Sequence, residues 1–187
     1  MTGNSRNLNG VKVAILSTDG FEQAELFEPK KALEAAGATV HVIAPKGGTI
    51  QGFKHVDKGD TVKVDMTFEQ ASPEDYEGVV LPGGVVNGDA LRMVEGARTF
   101  IKTINDAHKP IAVICHGGWL LVSTGIVKSR TITSWPSLQD DIRNAGGKWI
   151  DKQVAHDANL ISSRKPDDLP AFNKTLIEAL AQAHAHH

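Results

Sequence analysis

The sequence has a single cysteine and a single tyrosine, and aromatic residues make up 5% of its 187 positions. One thiol cannot close an internal disulfide, so stability is expected to come from a packed core, and a reducing, cytoplasmic setting is expected. Charge of neither sign dominates: 20 basic against 22 acidic residues give a net charge of −2. No basic stripe points to nucleic acid, and specific nucleic-acid binding is not expected. No apolar run is long enough to span a bilayer. The first ten residues lack the apolar centre of a secretory signal. Neither a G-x-G-x-x-G after the first strand nor a P-loop is present, so nucleotide-type cofactor binding is not suggested.

What is there reads as α/β. Short apolar runs at Val11–Leu16, Thr39–Ala44, Val79–Leu81 and Ile111–Ile114 are continuous rather than alternating, as in parallel strands buried on both faces. Helical spacing falls between them, over 21–36, 89–108, 118–124, 138–145 and 167–183. Pro29 lies inside the first of these and predicts a kink or a break. Gly47 to Gly52 predicts a hairpin excursion, with a short strand at 61–64. A late strand pair is expected around Asp157-Ala158-Asn159. The pattern implies one domain over 11–183 with a mostly parallel sheet covered on both sides, a flexible lead-in over 1–10, and a histidine-containing tail over 184–187.

The chemistry centres on Cys115. The run Ala112-Val113-Ile114-Cys115-His116-Gly117-Gly118 places the thiol where a strand turns sharply into a helix. That is the carboxyl edge of the sheet, where such folds build their sites. The positive end of a helix favours thiolate over thiol, so Cys115 is expected to titrate below an unperturbed value of about 8.5. His116 follows directly as a candidate base. Pro82-Gly83-Gly84 ends an independent strand at the same edge, and its backbone N–H groups, with that of His116, are candidates to hold an oxyanion. Glu22, just after the first strand, is the candidate carboxyl partner of the thiol, whereas Glu25 and Glu28 read as first-turn glutamates complementing the helix dipole. The chain also ends in several histidines, which are given no functional weight.

In series, Asp19-Gly20-Phe21-Glu22-Gln23-Ala24-Glu25-Leu26, Leu81-Pro82-Gly83-Gly84, Ala112 to Gly117, Thr133-Ser134-Trp135-Pro136 and Ser162 to Leu169 resemble the PfpI-like family of intracellular cysteine peptidases and deglycases. The resemblance implies a flavodoxin-like three-layer sandwich of the class I glutamine amidotransferase type. It implies Cys115 as nucleophile on an elbow, Glu22 bonded to the thiol, and an oxyanion site at the backbone of Gly84 and His116. It also implies an acid contributed by a neighbouring subunit, for which Asp89 is the nearest candidate, and hence a homodimer or hexamer. No cofactor or metal is implied. The expected activity is a stress-response cysteine hydrolase, acting on glyoxal or methylglyoxal adducts or on the small carbonyl compounds themselves. An intracellular peptidase and a redox-sensing chaperone without turnover are the alternatives.

Overall fold

The computed structural model describes residues 7–186. In chain order the elements are β1 Lys12–Leu16, β2 Phe21–Glu22, α1 Gln23–Ala35, β3 Thr39–Ala44, β4 Thr49–Lys54, β5 Asp57–Lys63, β6 Met66–Thr67 and β7 Gly78–Leu81. They continue as α2 Val85–Leu91, α3 Glu95–Asp106, β8 Ile111–Ile114, α4 Gly118–Ser123, β9 Thr131–Ile132, α5 Gln139–Asn144, β10 Lys148–Trp149, β11 Ala155–Asp157, β12 Leu160–Ser163 and α6 Leu169–Ala185. The main sheet runs β11-β12-β8-β7-β1-β3-β6. All its pairings are parallel except that of β11 with β12.

Two apolar clusters cover the two faces, and β1 shows why. Val13 and Ile15 face the side where Leu26 and Leu33 of α1 meet Phe172, Leu176 and Leu180 of α6. Ala14 and Leu16 face the other, against Ala97, Phe100, Ile101 and Ile104 of α3 and Leu120 and Leu121 of α4. Side chains two apart share a face, so a fully apolar strand feeds both layers. From β1 the chain steps outward to β3, then returns to the other side for β7, β8 and β12. This reversal opens a crevice at the carboxyl ends of β1, β7 and β8, where open α/β sheets bind ligands.

Several expectations are corrected. Helix α1 runs unbroken across Pro29, although the missing N–H leaves the Glu25 carbonyl without its helical donor. The helix expected over 89–108 is two helices, α2 and α3, because Val94 between them is extended (φ −85°, ψ 113°). Of the lead-in, residues 7–10 are held: Leu8 is fully buried, and its N–H donates to the Ala36 carbonyl at 2.8 Å. Residues 1–6 lie outside the described residues, as does His187 in the tail. His184 belongs to α6, with Nδ1 3.0 Å from Glu77 Oε2. Among the described residues, no helix is long and apolar enough to cross a membrane.

Candidate active site

Strand β8 is buried along its length and delivers Cys115 onto a turn with φ 61°. A non-glycine residue in the left-handed region costs on the order of 1–3 kcal/mol and persists only when its surroundings hold it there. They do: a Cβ on Gly117 would lie 2.7 Å from the Leu81 carbonyl oxygen and 2.9 Å from that of Pro82. The turn therefore sits directly on the end of β7, and only glycine permits that approach. Cys115 is 8% exposed. His116 Nδ1 is 3.2 Å from its sulfur, and the backbone N–H groups of His116 and Gly84 are directed at the same sulfur. The three groups expected from the local pattern do converge.

The expected carboxyl partner is corrected. Glu22 ends the short strand β2, which pairs with β4. That register sends its side chain toward the β4–β5 hairpin, where Oε1 and Oε2 accept the His55 N–H at 3.2 and 3.1 Å. The carboxyl that meets the thiol is Glu25, one helical turn later. Glu25 is fully buried. Its Oε1 accepts the Gly83 N–H at 2.9 Å, while Oε2 is buried with no well-formed partner and the carboxyl stands within interaction range of Cys115. The clue was present in the helical period. Glu25, Pro29 and Leu33 recur every four residues on one face, and all three are buried; that stripe placed Glu25 inward.

Burial above all, and then the nearby charge of Glu22, raise the Glu25 carboxyl to about 8. Below that pH it is neutral. The expectation of an acidified thiol is likewise corrected. Burial pushes Cys115 up, as does negative charge on Glu25, and the N–H groups of His116 and Gly84 offset this only in part. Burial also lowers His116, which favours the neutral imidazole. Its ring is stacked on Trp135 at 6.0 Å and meets Trp119 edge-on at 5.2 Å. Asp89 lies exposed on α2 and does not join these groups within one chain.

Asn87 was not expected. It is fully buried. Its Oδ1 accepts from Thr18 N–H at 2.8 Å and from Ser17 Oγ at 3.3 Å. Its Nδ2 donates to the carbonyls of Pro82 and Gly83 at 3.1 and 3.0 Å. One carboxamide thus ties the loop after β1 to the double-glycine loop, and so sets where the Gly83 and Gly84 N–H groups point. Asn87→Ala would strand these buried partners. A loss of roughly 2–4 kcal/mol is expected, at about 1–3 kcal/mol for each orphaned group with partial relaxation. Urea unfolding measures it, and an unchanged midpoint would contradict the role.

These groups open into a cleft of about 580 Å³, walled by Glu22, the hairpin tip at His55 and Val56, Val85 and Val86 of α2, and Trp135. Among the described residues, no three His, Cys, Asp or Glu side chains converge to hold a metal ion.

The family model described as "DJ-1/PfpI family" matches residues 11–179. Deglycase TK1284 of Thermococcus kodakarensis is 41% identical over 170 residues, covering 91% of this chain and 99% of that protein. Deglycase PfpI of Pyrococcus furiosus is 38% identical over 170 residues, with the same coverage of each. Among solved structures, a two-domain protein from Anabaena variabilis with DJ-1/ThiJ/PfpI-like and ferritin-like domains superimposes with a TM-score of 0.87 at 28% identity. The match covers 94% of this chain and 49% of that one, so this chain spans about half of its length. Drosophila melanogaster DJ-1beta gives a TM-score of 0.83 at 25% identity, over 91% of this chain and 90% of that one.

Proposed function

Because this chain belongs to the DJ-1/PfpI family, we propose that it is a deglycase-type hydrolase acting through Cys115 on glyoxal or methylglyoxal adducts. The observation that carries this reading is the convergence of a thiol, a neutral imidazole 3.2 Å away and two backbone donors on one sulfur at the floor of a small cleft. The names of relatives about 40% identical over nearly their whole length support it.

The aminocarbinol releases its amine and leaves an aldehyde, to whose carbonyl carbon the sulfur adds. The thiol proton passes to His116 Nδ1, and the new oxyanion faces the N–H groups of Gly84 and His116. Because the thiol is pushed up by burial, this proton transfer accompanies attack rather than preceding it. Glu25, neutral below about 8, adds no repulsion to the developing negative charge. The oxyanion takes the proton back, and a hydrogen moves from the sulfur-bearing carbon to its ketone neighbour, oxidising the first and reducing the second, which leaves a lactoyl thioester. Water then cleaves the C–S bond, so that an aminocarbinol of methylglyoxal plus one water returns the free amine, lactate and the free thiol. A free catalytic thiol suits a reducing, cytoplasmic setting.

The test is enzymatic release of lactate from methylglyoxal-treated N-acetylated amino acids, with glycolate release for glyoxal. Cys115→Ala is expected to remove it; equal rates for both proteins would defeat the reading. Cleavage of fluorogenic peptides that survives purification and requires Cys115 would favour a peptidase instead.

Self-association is part of the same reading. Val85, Val86 and Met93 are exposed on and just after α2, the helix that carries Asp89, and a second copy there would cover apolar surface beside the cleft. Sedimentation should show an even-numbered assembly that Met93→Glu weakens; a monomer at micromolar concentration would refute it.

A further inference from the structure

The cleft walls have a marked charge asymmetry. Two carboxyls, Glu22 and Glu25, line them, together with apolar and imidazole side chains, and among the described residues no lysine or arginine does so. The basic residues just before the lining Pro166 are already committed. Arg164 donates to Asp168 Oδ2 and Oδ1 at 3.0 Å each and to Asp151 at 2.7 Å, and Lys165 faces Asp167 at 4.0 Å. Glu25 is buried behind the sulfur, so the carboxylate that meets a ligand is Glu22.

The geometry of Glu22 leaves it free to bind. Its two oxygens share one backbone N–H, that of His55, while an ionised carboxyl offers about four acceptor sites. The His55 ring is 85% exposed and its Nδ1 stands 3.7 Å from Glu22 Oε1, so it does not saturate the group. Its charge acts on the chemistry as well, since it opposes ionisation of both Cys115 and Glu25. A carboxylate beside a nucleophile that must become anionic is a handicap unless the substrate brings a positive charge to offset it. A guanidinium does this well: it is planar, permanently charged and matches a carboxylate with two parallel hydrogen bonds. Trp135, 40% exposed on the same cleft, offers a ring face for such a cation.

Resting on the deglycase reading for the reaction itself, we propose that Glu22 determines specificity, selecting carbonyl adducts carried by cationic groups such as arginine side chains and rejecting those carried by phosphate- or carboxylate-bearing molecules such as nucleotides. Binding the cation at Glu22 brings the adduct carbon toward the Cys115 sulfur. It also offsets the share of the opposition to thiolate that comes from Glu22, so attack is assisted by the substrate's own charge.

Two measurements test this on the full chain. In the first, kcat/KM is compared for methylglyoxal adducts of N-acetylarginine amide and of GMP. The arginine adduct should lead by about tenfold or more, and Glu22→Gln should reduce that ratio by about tenfold. In the second, which needs no turnover, Cys115 is modified with methanethiosulfonate reagents bearing either an ammonium or a sulfonate group. Rates are normalised to a free thiol. The cationic reagent should react about tenfold faster, and Glu22→Gln should shrink the ratio. Val56→Lys should do the same without touching Glu22, since Val56 is 88% exposed at the hairpin tip and lines the cleft. An equal or anion-favouring ratio, or ratios unmoved by both variants, would overturn the proposal. Cation-selective modification with no turnover of any adduct would uphold the Glu22 site and remove the deglycase reading instead.

Discussion

Glu25→Gln should stabilise the fold by roughly 3–5 kcal/mol at pH 9 and by almost nothing at pH 4. The carboxyl titrates at 4.5 in an unfolded chain and at about 8 in the native one. Below 4.5 both states hold the proton, and the group costs nothing. Between the two values the native state keeps a proton that the unfolded chain has released, so stability falls steadily as pH rises. Above 8 the full cost is reached, about 1.4 kcal/mol for each pH unit separating the two values. Glutamine does not titrate, keeps an oxygen for the Gly83 N–H, and so escapes that loss. Urea midpoints for both proteins at pH 4, 6.5 and 9 would show two curves diverging with pH. Parallel curves would mean that Glu25 is not held neutral by burial.

His116→Asn should lower kcat/KM by about two to four orders of magnitude, the usual worth of a positioned general base. The size follows from the state of the thiol. A cysteine already ionised would lose little when its neighbour is removed, but burial pushes Cys115 up, so attack requires a base, and Nδ1 at 3.2 Å is in place. The pH profile carries the same signature. Activity should rise with pH through a midpoint below 6.5 as His116, lowered by burial, becomes neutral. It should fall again near 8 as Glu25 ionises and repels the developing thiolate. Glu25→Gln should remove the alkaline fall and leave the acid limb, whereas His116→Asn should remove the acid limb. A rate that climbs through pH 9 in the wild type, with a midpoint near that of a free thiol, would contradict both assignments.

The residue patterns led to the elbow and misled on its carboxyl. Ile111–Ile114 before Cys115, and Gly117 after it, are contiguous, and a strand followed by glycines that admit a close crossing is a local property of the chain. By sequence Glu22 is the candidate partner because it follows the first strand at the sheet edge. Its pairing with Phe53 of β4 instead aims it at a hairpin whose position depends on residues thirty places away. Asn87 carried no signal at all, because its four hydrogen bonds run to Ser17, Thr18, Pro82 and Gly83 and exist only once β1 and β7 lie side by side.

The order of apolar runs, the double glycines and the lone thiol determined from the sequence alone that this is a parallel α/β sandwich with a thiol-bearing turn at its carboxyl edge. Strand and turn preferences act over a few neighbouring residues, so they are written in the order of the residues. Which glutamate reaches the sulfur, and which way the thiol and carboxyl titrate, were decided by tertiary structure. Desolvation and charge act through space, and their strength is set by what packs across the sheet edge, whatever its distance along the chain.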